Sequence, residues 1–130
     1  MKKGIVFFVF FVLLMSGAYA QSVLRDGIYM MQGVDDMVHV YNIPQYKGNF
    51  HMTWYMGSNF NNPIYHHAGY TIGNKMLAVI FWINDALLTR ILGDHDVEEG
   101  LQVIFSITNA TTFVDGAGQT WTWRREMPKK

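Results

Sequence analysis

The chain has 130 residues, with 10 basic and 10 acidic side chains, 15% aromatic residues and no cysteine. That length gives one domain rather than two, and the balanced charge argues against broad nucleic-acid binding. The absence of thiols excludes a disulfide framework and a cysteine nucleophile, and a hydrophobic share of 50% is too high for a disordered chain.

Lys2 and Lys3 precede an unbroken apolar run of eleven residues, Ile5 to Met15, followed by Ser16-Gly17-Ala18-Tyr19-Ala20. A basic start, a short apolar stretch and an Ala-x-Ala end are the features of a secretory signal peptide. The run is too short for a hydrocarbon core, which takes roughly 20 residues. Cleavage after Ala20 would remove both lysines, taking the 10 basic side chains to 8 against 10 acidic, a net charge of −2. The expected organisation is a signal peptide over 1–20, a β-domain over 21–124 and a frayed basic tail over 125–130. The mature protein is expected in the periplasm or outside the cell, without a transmembrane segment.

Glycines and Asn/Asp pairs then punctuate the chain at short, even intervals, separating segments rich in β-branched and aromatic residues. That is the pattern of an all-β sandwich or barrel. The segments Asp26–Gln32 and Met37–Ile43 are strand-like. Over Asn49–Gly57, Phe50, Met52, Trp54 and Met56 share one face, as a period of two requires. Over Ile64–Ile72, Ile64, His66, Ala68, Tyr70 and Ile72 alternate with Tyr65, His67, Gly69 and Thr71. Gly73-Asn74 is a tight-turn signal. Met76–Ile83 is apolar throughout, which predicts a strand with both faces dry and Leu77, Val79, Phe81 and Ile83 as an outward strip, a mark of an interface. Asp85–Gly93 is read as a strand after an Asn84-Asp85 turn, with a short helix capped by Asn84 and ended by Gly93 as the alternative. Leu101–Thr108 alternates again, and Asp115–Gly118 turns Thr111–Val114 back into Gln119–Arg125.

Two stretches carry a resemblance. Gly69-Tyr70-Thr71-Ile72-Gly73-Asn74-Lys75-Met76 resembles a strand–turn–strand of small bacterial lipocalin-like barrels, and Thr112 to Arg124, with its Gly-containing turn and Thr-Trp-Thr-Trp-Arg ending, is similar to their last hairpin. On the first strand Tyr29 stands where that family carries a tryptophan. The resemblance implies a seven- to eight-stranded antiparallel barrel and transfers no ligand residue.

Chemistry-bearing residues are sparse. The histidines His39, His51, His66, His67 and His95 show no metal-ligand spacing, and adjacent His66 and His67 would point to opposite faces of a strand. Asp94, Asp96 and Glu98 alternate but lack the full calcium-loop pattern. Ser22, Ser58 and Ser106 sit in no nucleophile motif, and no phosphate-binding loop exists. No catalytic residue, metal or cofactor is therefore assigned. The aromatic load is the useful hint. Phe50, Trp54, Tyr70, Trp82, Phe105 and Trp121, with Trp123, are read as lining a barrel interior that binds a small apolar or aromatic molecule. The alternative is a filled core, with a protein partner or a second copy on the outward strip.

Overall fold

The structure, a computed structural model, describes residues 23–129, so the expected leader over 1–20 lies outside the described residues. Eight strands run in chain order: β1 Gly27–Met30, β2 Met37–Asn42, β3 Asn49–Tyr55, β4 Pro63–Ile72, β5 Lys75–Ile83, β6 Gln102–Asn109, β7 Thr112–Val114 and β8 Thr120–Arg125. Each pairs antiparallel with the next, and β8 returns to β1 through Tyr29 opposite Trp123 and Met30 opposite Thr122. The sheet is thus a closed barrel, which leaves no edge strand unpaired. The helix α1, Asp85–Leu92, spans the β5–β6 connection. No helix among the described residues is long and apolar enough to cross a membrane.

Alternation sets the interior. On β3, Phe50, Met52 and Trp54 are buried while Asn49 and His51 are exposed. Phe50 faces Gly69 and Trp54 faces Tyr65 across the β3–β4 ladder. Gly69 is required there because a Cβ would run into the backbone of Leu77 and Ala78 on β5. The hairpin at Gly73-Asn74 forms as expected, with Gly73 at φ 59°, a left-handed conformation open to glycine at little cost.

The two ends of the barrel differ. At one end Tyr29, fully buried, donates its hydroxyl to the Arg25 carbonyl at 2.7 Å and packs its ring 5.4 Å from Phe113. The Arg25 guanidinium lies 3.8 Å above the Trp123 ring, whose Nε1 donates to the Asp26 carbonyl. Gly27 makes room for that indole, since a Cβ there would collide with it. At the other end gather the β1–β2 and β3–β4 loops, α1 with its connection to β6, and the β7–β8 hairpin.

Three expectations are corrected. Asp85–Leu92 is helical, not extended: the Asn84 side chain accepts from the Leu87 N–H at 3.1 Å, the Gly93 N–H donates to the Thr89 carbonyl, and only Leu87 and Leu88 bury. The outward strip on β5 keeps Leu77, Val79 and Phe81 but loses Ile83. A bulge between His66 and His67 inserts Phe81 into the register, so Trp82 pairs with His66 and Ile83 with Tyr65. The basic tail is not wholly frayed. Met127 packs with Phe60 onto Ile28, Met37 and Tyr55, a satellite cluster outside β1–β3.

Candidate functional site

The barrel interior is packed from Tyr29 up to Trp54, and there the packing stops. Above it lies a pocket of about 310 Å³, at the low end of the ~300–1,000 Å³ usual for ligand sites. Its walls are the rings of Trp54, Tyr65, His67 and Phe105 with Ile80 and Val103. Val97 and Leu101, from the α1–β6 connection, and the β7–β8 hairpin form its rim.

Each wall residue has a register reason for pointing inward. Met52 opposite His67 and Trp54 opposite Tyr65 belong to the buried face of β3. His67 in turn faces Ile80 on β5. Trp54 is the hub: its ring meets Trp121 edge-on at 5.1 Å and lies 5.8 Å from both Tyr65 and Phe105 and 5.9 Å from His67. Such aromatic pairs add ~0.5–1.5 kcal/mol each beyond the area they bury, which holds the pocket floor in one arrangement.

The rim is ordered by one carboxylate and one imidazole. Asp115 Oδ1 accepts from the Ala117 and Gln119 N–H groups, and its Oδ2 accepts from Trp121 Nε1 at 2.9 Å. The β7–β8 hairpin is thereby locked to the pocket floor. On the facing side the Val97 N–H donates to His95 Nδ1, so Nε2 carries the proton, 3.1 Å from Asp85 Oδ1. That bond ties the loop bearing Val97 to the first turn of α1.

Two polar atoms of the wall side chains are packed away from the open space. Trp54 Nε1 and His67 Nδ1 are buried without a hydrogen-bond partner among the described residues, in side chains only 8% and 2% exposed. An orphaned buried polar group costs ~1–3 kcal/mol. Burial, and secondarily the neighbouring His66, push the His67 imidazole down to about 4, so it is neutral near pH 7. Tyr65 is shifted the other way: burial, then Asp115 and Asp36, raise its hydroxyl, which stays protonated.

Of the residues expected to line the interior, Phe50, Trp54, Phe105 and Trp121 are buried there, and Trp54 and Phe105 reach the pocket itself. Phe50 lies deeper, and Trp121 packs behind Trp54. Tyr70 and Trp82 are corrections. Tyr70 is 47% exposed on the outer face, because its partner Asn49 sits on the solvent side of β3. Trp82 is turned outward beside His66 by the β5 bulge, their rings 4.8 Å apart. Trp123 packs against the core near the closed end. Sequence reasoning missed Tyr65, His67 and Asp115. The Gly73-Asn74 turn carried a signal for His67, since counting back from Ile72 opposite Lys75 brings it opposite the Met76–Ile83 run.

His66, on the outer face, bonds Thr53 Oγ1 through Nδ1 at 2.7 Å, and burial followed by His51 lowers its pKa. A polar recess beside α1 is lined by Asp85, Asp94, His95 and Glu98. Among the described residues no three His, Cys, Asp or Glu side chains are arranged to hold a metal ion. Comparison with family models, curated proteins and solved structures finds no match to the chain. The class defined by the fold is therefore a closed, eight-stranded antiparallel barrel with, among the described residues, one short helix, a form compatible with calycin-like proteins.

Proposed function

We propose that this chain is an exported, non-catalytic binding protein that takes a small apolar or aromatic molecule into the open end of its barrel. One observation carries this: a pocket of about 310 Å³ walled mainly by aromatic and aliphatic side chains, with His67, Asp115 and Gln119 among its lining residues. Mostly apolar walls with a few convergent polar groups are the usual composition of small-molecule sites. The leader over 1–20 supports a periplasmic or secreted location.

The test is a titration of the delipidated protein with apolar and aromatic compounds, read by tryptophan fluorescence. Trp54 lies in the pocket wall, so a bound ring changes its emission, and Trp54→Ala weakens both the response and the affinity. A broad panel that gives no saturable change would overturn the proposal.

The outer face favours a second role. Phe81 is 48% and Ile104 57% exposed, with Val79 exposed between them on the same side of the sheet. Such a strip suits a second copy of the chain. Sedimentation of the wild type and of Phe81→Lys tests it: a dimer dissociated by the lysine supports self-association, and a monomer at every concentration removes it.

A further inference from the structure

Charge is spread unevenly over the barrel. The connections at the open end are the β1–β2 and β3–β4 loops, the stretch from Asn84 to Leu101 that contains α1, and the β7–β8 hairpin. They hold eight of the ten acidic side chains and one basic side chain, Arg90. Asp35 and Asp36 stand in the first loop, five acids fall between Asp85 and Glu99, and Asp115 is in the hairpin. A concave site ringed by one sign of charge concentrates ligands of the opposite sign and speeds their capture. The pocket repeats that bias. Asp115 is among its lining residues, and no lysine or arginine is. His67 adds no positive charge near neutral pH, because burial, and secondarily His66, push its pKa down to about 4. Burial, then the charges of Asp115 and Asp36, raise the Tyr65 hydroxyl, so the negative field of the open end extends into the wall. The Asp115 carboxylate is held in place by N–H donors from Ala117, Gln119 and Trp121. A carboxylate has about four lone-pair sites, which leaves capacity on Oδ2. Asp115 is half-buried and Gln119 beside it is exposed, so a group bound there keeps contact with water. Below this rim the rings of Trp54, Tyr65, His67 and Phe105 are inclined to one another by 31° to 85°. They therefore border the space from several directions, an arrangement that suits an aromatic body.

Building on the binding role proposed above, we propose that the pocket selects a ring-bearing organic cation, an amine in its ammonium form, whose ring lies among Trp54, Tyr65, His67 and Phe105 while its ammonium pairs with Asp115 at the rim. The neutral analogue keeps the ring contacts and forfeits the charge pair. The matching carboxylate meets Asp115 as a like charge, with no lysine or arginine in the lining to offset it.

Three probes of one shape separate the outcomes: 2-(aminomethyl)naphthalene, which is cationic at neutral pH, 2-(hydroxymethyl)naphthalene and 2-naphthoate. Affinities are measured by calorimetry. The amine is expected to bind about tenfold more tightly than the alcohol, a factor equal to about 1.4 kcal/mol, and the naphthoate more weakly than the alcohol. Added salt should weaken the amine and leave the alcohol unchanged, because it screens a charge pair at a half-open rim. Asp115→Asn should remove the preference for the amine while alcohol affinity changes about twofold or less. Gln119→Lys keeps the backbone N–H that Asp115 accepts and brings a positive charge to the rim, so it should abolish the amine preference and tighten naphthoate. That variant decides the case should the asparagine variant not fold. Alcohol binding as tightly as the amine in the wild type, or an amine preference that survives either variant, overturns the charge selectivity and leaves the binding role standing. No saturable binding of any probe overturns both.

Discussion

The acid sensitivity of the barrel should run through His67. In the unfolded chain its imidazole titrates near 6.5, while in the folded protein burial lowers it to about 4. Between those values the unfolded chain binds a proton that the folded barrel does not, so protons favour unfolding. The contribution of His67 to stability is whole above pH 6.5, falls as the pH drops through this window and levels off below about 4. At 1.36 kcal/mol per pH unit, the gap from 6.5 to about 4 corresponds to a loss of about 3 kcal/mol. His39 and His66 are also lowered by burial and act in the same direction, so the His67 share is isolated by comparison with His67→Phe. That variant keeps a ring among Trp54, Tyr65 and Phe105, and it removes a nitrogen, Nδ1, that has no partner to lose. Urea unfolding at pH 7, 5.5 and 4, read by tryptophan fluorescence, should show the two proteins within about 1 kcal/mol of each other at pH 7. At pH 4 the variant should be the more stable by about 3 kcal/mol. A difference that does not widen toward acid, or a His67 ring proton titrating near 6.5 in the folded protein, would refute the assignment.

Four further substitutions probe the scaffold around the pocket. Asp115→Ala leaves Trp121 Nε1 buried without its acceptor and frees the β7–β8 hairpin, so chemical denaturation should show a loss of ~1–3 kcal/mol. Gly69→Ala drives a Cβ into the backbone of Leu77 and Ala78 and should lower stability by ~1–3 kcal/mol through the forced shift of β5. Gly116→Ala, with open space around its Cα, is the control and should change stability by about 0.5 kcal/mol or less. Asn84→Ala removes the cap that accepts from the Leu87 N–H. It should cost about 1 kcal/mol in thermal or urea unfolding, and unchanged stability would mean that α1 is held by Leu87 and Leu88 alone.

The closed barrel was legible because alternation and turn chemistry agree. Phe50, Met52 and Trp54 could only be an inner face once His51 and Thr53 lay between them, and Gly73-Asn74 fixed where β4 turns back. The face of β4 was not legible. Its two sets of alternate residues are equally mixed, each with a histidine and a tyrosine, and a one-residue change of register exchanges them completely. The choice lies in the register: Phe50 pairs with Gly69, Met52 with His67 and Trp54 with Tyr65, so Gly69, His67 and Tyr65 go in and Tyr70 goes out. Trp82 was misread for a different reason. Strict alternation along Met76–Ile83 puts it inside with Ile80, but Phe81 forms a bulge, which no apolar pattern announces. For Asp85–Leu92 both periods fit the apolar residues, and the Asn84 cap with Gly93 at φ 72° favours the helix.

The Trp82 correction bears on where the pocket lies. Had Trp82 pointed inward, one more large ring would occupy the upper barrel, whereas its turn to the outer face leaves that end to Trp54, Tyr65, His67 and Phe105, whose rings line the space. At the closed end the reverse holds. Tyr29, Phe113 and Trp123 converge under Arg25, with their polar atoms bonded to backbone carbonyls. The Tyr29 hydroxyl and the Trp123 indole at that end thus each have an acceptor within the chain, whereas Trp54 Nε1 has none among the described residues. The contrast between two tryptophans in one barrel is thus one of packing: the Trp123 indole is bonded to a backbone carbonyl, and Trp54 Nε1 is buried among rings that offer it no acceptor.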